Sequence, residues 1–230
     1  MRSLAGRNKL AATLVLTLAT LAASAFAQTN LIYVESNIGS VSSMNSVIGY
    51  SNDGSGQLTP LPGSPYLTHG TGVYSPTDHN PFFADGQVIT NPEGTLLFAV
   101  NGHTNSIAAF NINSDGSLTT VAGSPFSSGG RQPAGLGFAD NVLPSNTSVL
   151  TVVNKDLDVS QPAGVPNYKT FKVSTSGTLT GIPNSVVTLA AGSSRHRPQS
   201  AKTAGWFSRW NSWGQPLPLE CCKARAFYHR

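Results

Sequence analysis

Between residues 28 and 192 the chain alternates short apolar stretches with turns built from Gly, Asp, Asn and Ser. Thr95 to Val100 is a β-prone run, preceded by the turn Asn91-Pro92-Glu93-Gly94 and broken by Asn101-Gly102-His103-Thr104-Asn105. Ser106 to Ile112 then alternates, and Asn113-Ser114-Asp115-Gly116 turns the chain into Ser117 to Val121. Short runs closed by turn formers predict antiparallel strands, about three to each such stretch. No part of this body sustains the 3.6-residue apolar period of a helix between its Gly and Pro residues.

The stretch recurs. Asn45-Ser46-Val47-Ile48-Gly49-Tyr50 returns as Asn105-Ser106-Ile107-Ala108-Ala109-Phe110, and Leu58-Thr59 as Leu118-Thr119. Gly63-Ser64-Pro65-Tyr66 likewise returns as Gly123-Ser124-Pro125-Phe126, all displaced by 60 (45 to 105). A third copy sits 61 further on (109 to 170), with Thr170-Phe171-Lys172-Val173 in place of Ala109-Phe110-Asn111-Ile112. In that copy Gly177-Thr178-Leu179-Thr180 and Ile182-Pro183-Asn184-Ser185 continue the register. A repeat of about 60 residues is too long for a coil of a β-helix, sandwiches do not normally repeat, and propeller blades run about 40 to 50 residues plus loops. The sequence therefore predicts an all-β fold of β-propeller blades over residues 28–192. The excess length falls in an insertion from Leu67 to Val88.

The second copy carries a resemblance. Asn91-Pro92-Glu93-Gly94-Thr95-Leu96-Leu97-Phe98-Ala99-Val100-Asn101 is followed by the Asn-Ser-Ile strand, Asp115-Gly116-Ser117-Leu118 and Gly123-Ser124-Pro125-Phe126. This resembles the blade signature of the bacterial lactonase-family seven-bladed propellers, proteins similar to propeller-type 6-phosphogluconolactonase and to muconate cyclases. It covers roughly Leu31 to Leu189. The resemblance implies a ring of seven blades and hydrolysis of a sugar lactone, and it is more specific for the blade than for the activity. No stretch matches the family's catalytic residues position by position, so none is carried over. Fewer than three repeats fit in 28–192, whereas a closed propeller needs at least four blades, so the sequence reads as the N-terminal part of a ring.

The ends differ from the body. Arg2, Arg7 and Lys9, the apolar run Leu10 to Ala23 and then Ala25-Phe26-Ala27 predict a signal peptide over residues 1–27. That run, about 14 residues, is shorter than the roughly 20 of a membrane span. The expected product is periplasmic or secreted, with no membrane attachment after cleavage. Residues 193–230 hold all three Trp (Trp206, Trp210, Trp213), both Cys and half the basic residues, with none of the repeat pattern. A reading-frame change near Gly192 would produce such a break; the alternative is a basic aromatic tail that binds nucleic acid or anionic lipid. The formal charge of +4 belongs to these ends, because the body sets four cations against nine acids. It therefore gives no support for a nucleic-acid partner. The body has no Cys, which excludes disulfides and thiolate metal sites there. Cys221-Cys222 matches no zinc or redox spacing.

Candidate chemistry is sparse, and no cofactor motif, Ser-His-Asp elbow or phosphate-cradling loop is present. His69, Asp78, His79 and Asp85 share the insertion, where solvation competes with acid/base or metal roles. Asp156 and Asp158 lack the Gly and Glu of a calcium loop. His103 follows a strand and is a candidate base facing a channel, against an exposed turn residue. Arg131, the body's sole Arg, is a candidate receptor for the anionic group of a lactone, against an inter-blade ion pair. Two functions follow. A lactone hydrolase predicts His103, Arg131 and a carboxylate converging on one channel mouth; a non-catalytic propeller presenting loops to a protein or glycan predicts them scattered. A third reading is a truncated product that does nothing, its open sheet edges prone to aggregate unless copies associate to complete a ring.

Overall fold

The computed structural model describes residues 30–73, 87–155 and 164–190. The proposed leader, most of the Leu67 to Val88 insertion with Asp78, His79 and Asp85, the Asp156 and Asp158 loop, and the tail with Cys221 and Cys222 lie outside them.

The described residues form three antiparallel sheets and no α-helix. The first sheet holds β1 (Asn30–Glu35), β2 (Ser46–Asn52), β3 (Leu58–Pro60) and β4 (Tyr66–Leu67). The second holds β5 (Val88–Thr90), β6 (Leu96–Asn101), β7 (Ser106–Ile112), β8 (Leu118–Thr120) and β9 (Phe126–Ser127). The third holds β10 (Pro133–Leu143), β11 (Thr147–Asn154), β12 (Asn167–Val173), β13 (Leu179–Gly181) and β14 (Val187–Thr188), with a 3-10 turn at Pro144–Asn146. The repeats of the sequence are these sheets, although three strands per copy undercounts them. A further strand, β5 or β10, precedes the repeated pair in the second and third sheets. The outer strand is also split, since β3 and β4 pair with opposite ends of β2.

That split explains the recurring serine. Where the outer strand breaks, Ser64 Oγ accepts the N–H of Gly49 at 3.0 Å, Ser124 Oγ that of Ala109 at 2.9 Å, and Ser185 Oγ that of Thr170 at 3.4 Å. Each hydroxyl serves a middle-strand donor that the interruption would leave unpaired, and an unpaired buried N–H costs as much as a lost hydrogen bond.

The alternation expected of Ser106 to Ile112 is replaced by burial of its first five residues, and all six residues of β6 are buried. The second sheet is covered on both faces, so both sets of alternating side chains must be apolar. Leu96, Phe98, Val100, Ile107 and Ala109 pack with Leu136, Phe138, Leu150, Val152 and Phe171 of the third sheet. Leu97, Ala99, Ala108 and Phe110 face Val47 and the partly buried Tyr33 and Tyr66 of the first sheet. The Tyr33 hydroxyl also donates to the Gly116 carbonyl at 2.6 Å, tying the first sheet to the second.

The antiparallel topology sorts the connections onto two rims. The strand ends joined by the β1–β2, β4–β5, β6–β7, β9–β10 and β11–β12 connections share one rim, the loop rim. The β2–β3, β5–β6, β7–β8, β10–β11 and β12–β13 connections share the opposite, hairpin rim.

Candidate functional site

His69, His103 and Arg131 all lie on the loop rim, because each follows a strand that ends there. His69 and His103 are exposed and Arg131 is half-buried. Their loops are joined through the backbone. The His103 N–H donates to the Thr71 carbonyl at 3.0 Å, and Asn105 Oδ1 accepts the N–H of Gln132, next to Arg131, at 2.8 Å. The structure thus brings these three segments onto one surface.

Beneath that surface lies a polar junction centred on Asn45, which is fully buried. Its Nδ2 faces Glu35 Oε1 at 2.7 Å, Asn101 Oδ1 at 2.9 Å and the Val100 carbonyl at 3.1 Å. The Thr68 hydroxyl lies 2.6 Å from Asn101 Oδ1, and Asn101 Nδ2 donates to Ser106 Oγ at 3.1 Å. Asn101 immediately precedes the His103 loop, so this network fixes where the loop leaves β6. The junction repeats one sheet on, where Asn154 Nδ2 donates to the Asn167 side chain at 3.0 Å and reaches the Ser128 carbonyl at 3.3 Å.

Two glycines make room for these asparagines. A Cβ on Gly70 would stand 2.2 Å from the Asn101 side chain, and one on Gly130 would stand 2.5 Å from that of Asn154. Gly70→Ala is therefore expected to push Asn101 out of its network at a cost of about 1–3 kcal/mol. Urea unfolding checks this. A Gly70→Ala protein with unchanged stability would show that the junction tolerates displacement.

Glu35 escaped the sequence reading, which counted it only among the acids. It is half-buried as a residue, but its Oε2 is enclosed and has no hydrogen-bond partner among the described residues. Burial pushes its carboxyl up to about 8, against the opposing hydrogen bond from Asn45. A carboxyl that titrates near neutrality beside a loop surface has the acid strength that proton transfer requires. Among the described residues no group of three or more His, Cys, Asp or Glu is placed to hold a metal ion. No described helix is long and apolar enough to cross a membrane.

Two cavities of the described residues lie elsewhere. One of about 360 Å³ sits on the hairpin rim between the second and third sheets, lined by neither His103 nor Arg131.

No protein-family model matches the chain, and no curated protein does. Among solved structures it is similar to a protein of Bacteroides uniformis provisionally named a 6-phosphogluconolactonase, at 20% identity and a TM-score of 0.42, covering 69% of this chain and 37% of that one. A Bacteroides fragilis protein with the same provisional name gives 19% identity and 0.43, covering 71% and 40%. A protein of Lactobacillus plantarum gives 19% and 0.42, covering 70% and 44%. The chain spans less than half the length of each. A likeness of this degree leaves fold and site to rest on the sheets themselves.

Proposed function

We propose that the chain is the opening section of an exported lactonase-like β-propeller, each sheet being one blade, and that the complete ring hydrolyses a sugar lactone at its loop rim. The observation that carries this reading is the hydrogen-bonded succession of the His69, His103 and Arg131 segments along one rim, the first two over the junction that holds Glu35. In that chemistry His103, as base, takes a proton from water as its oxygen attacks the ring carbonyl, and Glu35, which holds its proton near neutrality, is the acid that supplies one to the leaving oxygen. The tetrahedral intermediate then expels the ring oxygen, which leaves as a hydroxyl. Arg131 holds the anionic end of the substrate, as a guanidinium suits carboxylate or phosphate.

The test is acid release from 6-phosphogluconolactone by the complete ring, set against spontaneous hydrolysis. Loss of a positioned base or acid lowers kcat by about 100-fold or more, so His103→Ala or Glu35→Gln should lower kcat, while Arg131→Ala should raise KM. Release at the spontaneous rate, or release unchanged by all three variants, would reject the assignment. It would leave the second reading, a non-catalytic propeller that presents its loops to a protein or glycan. The exposure of His69 and His103 favours that alternative.

A further inference from the structure

The third sheet departs from the second at its hairpin rim. Its β10 and β11 run to 11 and 8 residues, whereas β5 and β6 have 3 and 6. The extra length carries the β10–β11 hairpin past the Asn91–Thr95 turn of the second sheet. The extension is irregular: the register shifts between Ala139 and Leu143, and Asn141, Ser145 and Asn146 all hold positive φ, at 52°, 61° and 51°. Bulges and left-handed non-glycine residues of this kind gather where a chain re-aims side chains at a ligand.

The hairpin walls the cavity of about 360 Å³ noted above, a volume within the range of about 300–1,000 Å³ for small-molecule sites. The lining has two layers. Leu96, Phe138 and Val173 form an apolar floor, and around them stand the amides of Asn91 and Asn141, the hydroxyls of Thr95 and Ser148, and the carboxyls of Glu93 and Asp140. The carboxyls are held in place: Glu93 Oε2 accepts Asn91 Nδ2 at 3.0 Å, Asp140 Oδ2 accepts Asn141 Nδ2 at 2.7 Å and Asp140 Oδ1 accepts the Ser148 hydroxyl at 2.5 Å. A second cavity of about 370 Å³ shares Asn146, Val173, Ser174 and Thr175 with the first, so the cleft continues around the hairpin tip.

The lining selects its ligand. The first cavity contains two acids and no Lys or Arg, which disfavours phosphates and uronates there, and Lys172 lines only the second. The carboxylate oxygens Glu93 Oε2, Asp140 Oδ1 and Asp140 Oδ2 already accept protein donors, and no metal-holding group of acids is formed among the described residues. A ligand with an apolar ring face and many hydroxyls fits both layers. We propose that this cleft binds a neutral oligosaccharide, one sugar ring resting on Leu96, Phe138 and Val173 while Asp140, Glu93 and the amides receive and donate hydrogen bonds at its hydroxyls. The site is independent of the lactonase reading, being on the opposite rim.

The test is an array of neutral and uronate-containing oligosaccharides probed with the full chain, followed by calorimetric titration of the strongest neutral glycan. Neutral glycans are expected to bind and uronates not. Removing one charge-assisted hydrogen bond weakens affinity by about tenfold, the loss expected of Asp140→Asn. Thr175→Trp, at an exposed lining position, is expected to abolish binding by filling the cleft while leaving the β-sheet circular dichroism unchanged. Silence across the neutral glycans, or binding that survives Thr175→Trp, would overturn the proposal.

Discussion

Phe98→Ala is expected to destabilise the chain by about 3–5 kcal/mol, the range for truncating a buried aromatic. Phe98 is fully buried, in the middle of β6, on the face turned to the third sheet. Its ring lies 6.1 Å from that of Phe138 with the planes 21° apart, so truncation removes an aromatic contact as well as apolar area. The cavity would open between two sheets whose backbones are each fixed by their own ladders, which limits how far they can close on it. Thr119→Ala, at the exposed middle position of β8, is the control and should change stability by less than about 0.5 kcal/mol. Urea denaturation of the three proteins measures the difference. A Phe98→Ala loss below about 1 kcal/mol would mean that the second and third sheets do not share a core, and the stacked-sheet arrangement would fall with it.

Phe98 also shows how far the sequence could be read. The run Thr95 to Val100 announces a strand by composition, and its lack of alternation signals burial on both faces. The serines of the Gly-Ser-Pro repeat mark a position the structure uses three times, visible as a repeat although its hydrogen-bonding reason needs the register. What stayed hidden was whatever does not repeat. Pro133 to Leu143 contains Pro133, Gly135 and Gly137, the punctuation that elsewhere ends strands, so nothing local announces the longest strand of the described residues. The cleft it walls was hidden for the same reason. His103 and Arg131 were legible as chemistry, and their loops do meet, but adjacency across 28 residues (103 to 131) comes from the stacking of sheets and not from any spacing.

Glu35 was legible in principle. The ladders pair Glu35 with Val47, Val100 with Ile107 and Val153 with Tyr168, so an acid stands at a place where the other two sheets put valine. An ionisable residue substituted into an apolar position of an internal repeat is a stronger signal than any lone His in a loop. It departs from what packing alone would choose, and such departures concentrate at functional or strained positions.

That substitution leads to the second large effect, a stability that falls as pH rises. With its carboxyl raised from 4.5 to about 8 in the folded chain, Glu35 holds its proton when folded at pH values where the unfolded chain has released it. The folded state therefore binds more protons between these limits, and the unfolding free energy declines with pH across them. The contribution is intact below pH 4.5 and is lost progressively as pH climbs through about 8, a decline on the order of 3 kcal/mol between pH 5 and 8. Asn45 softens it by donating to Oε1, yet Oε2 has no donor among the described residues to receive the charge. Glu35→Gln keeps the shape and the acceptor for Asn45 while removing the titration, so the difference between the two proteins cancels every other group that ionises in this range. Parallel urea unfolding at pH 5 and pH 8 is expected to show the native chain weakening on going to the higher pH, and the Glu35→Gln protein gaining on it there. Curves for the two proteins that stay parallel over that interval would mean that the carboxyl is solvated after all. Glu35 would then be one more surface acid, and the acid/base role proposed for it at the loop rim would be withdrawn.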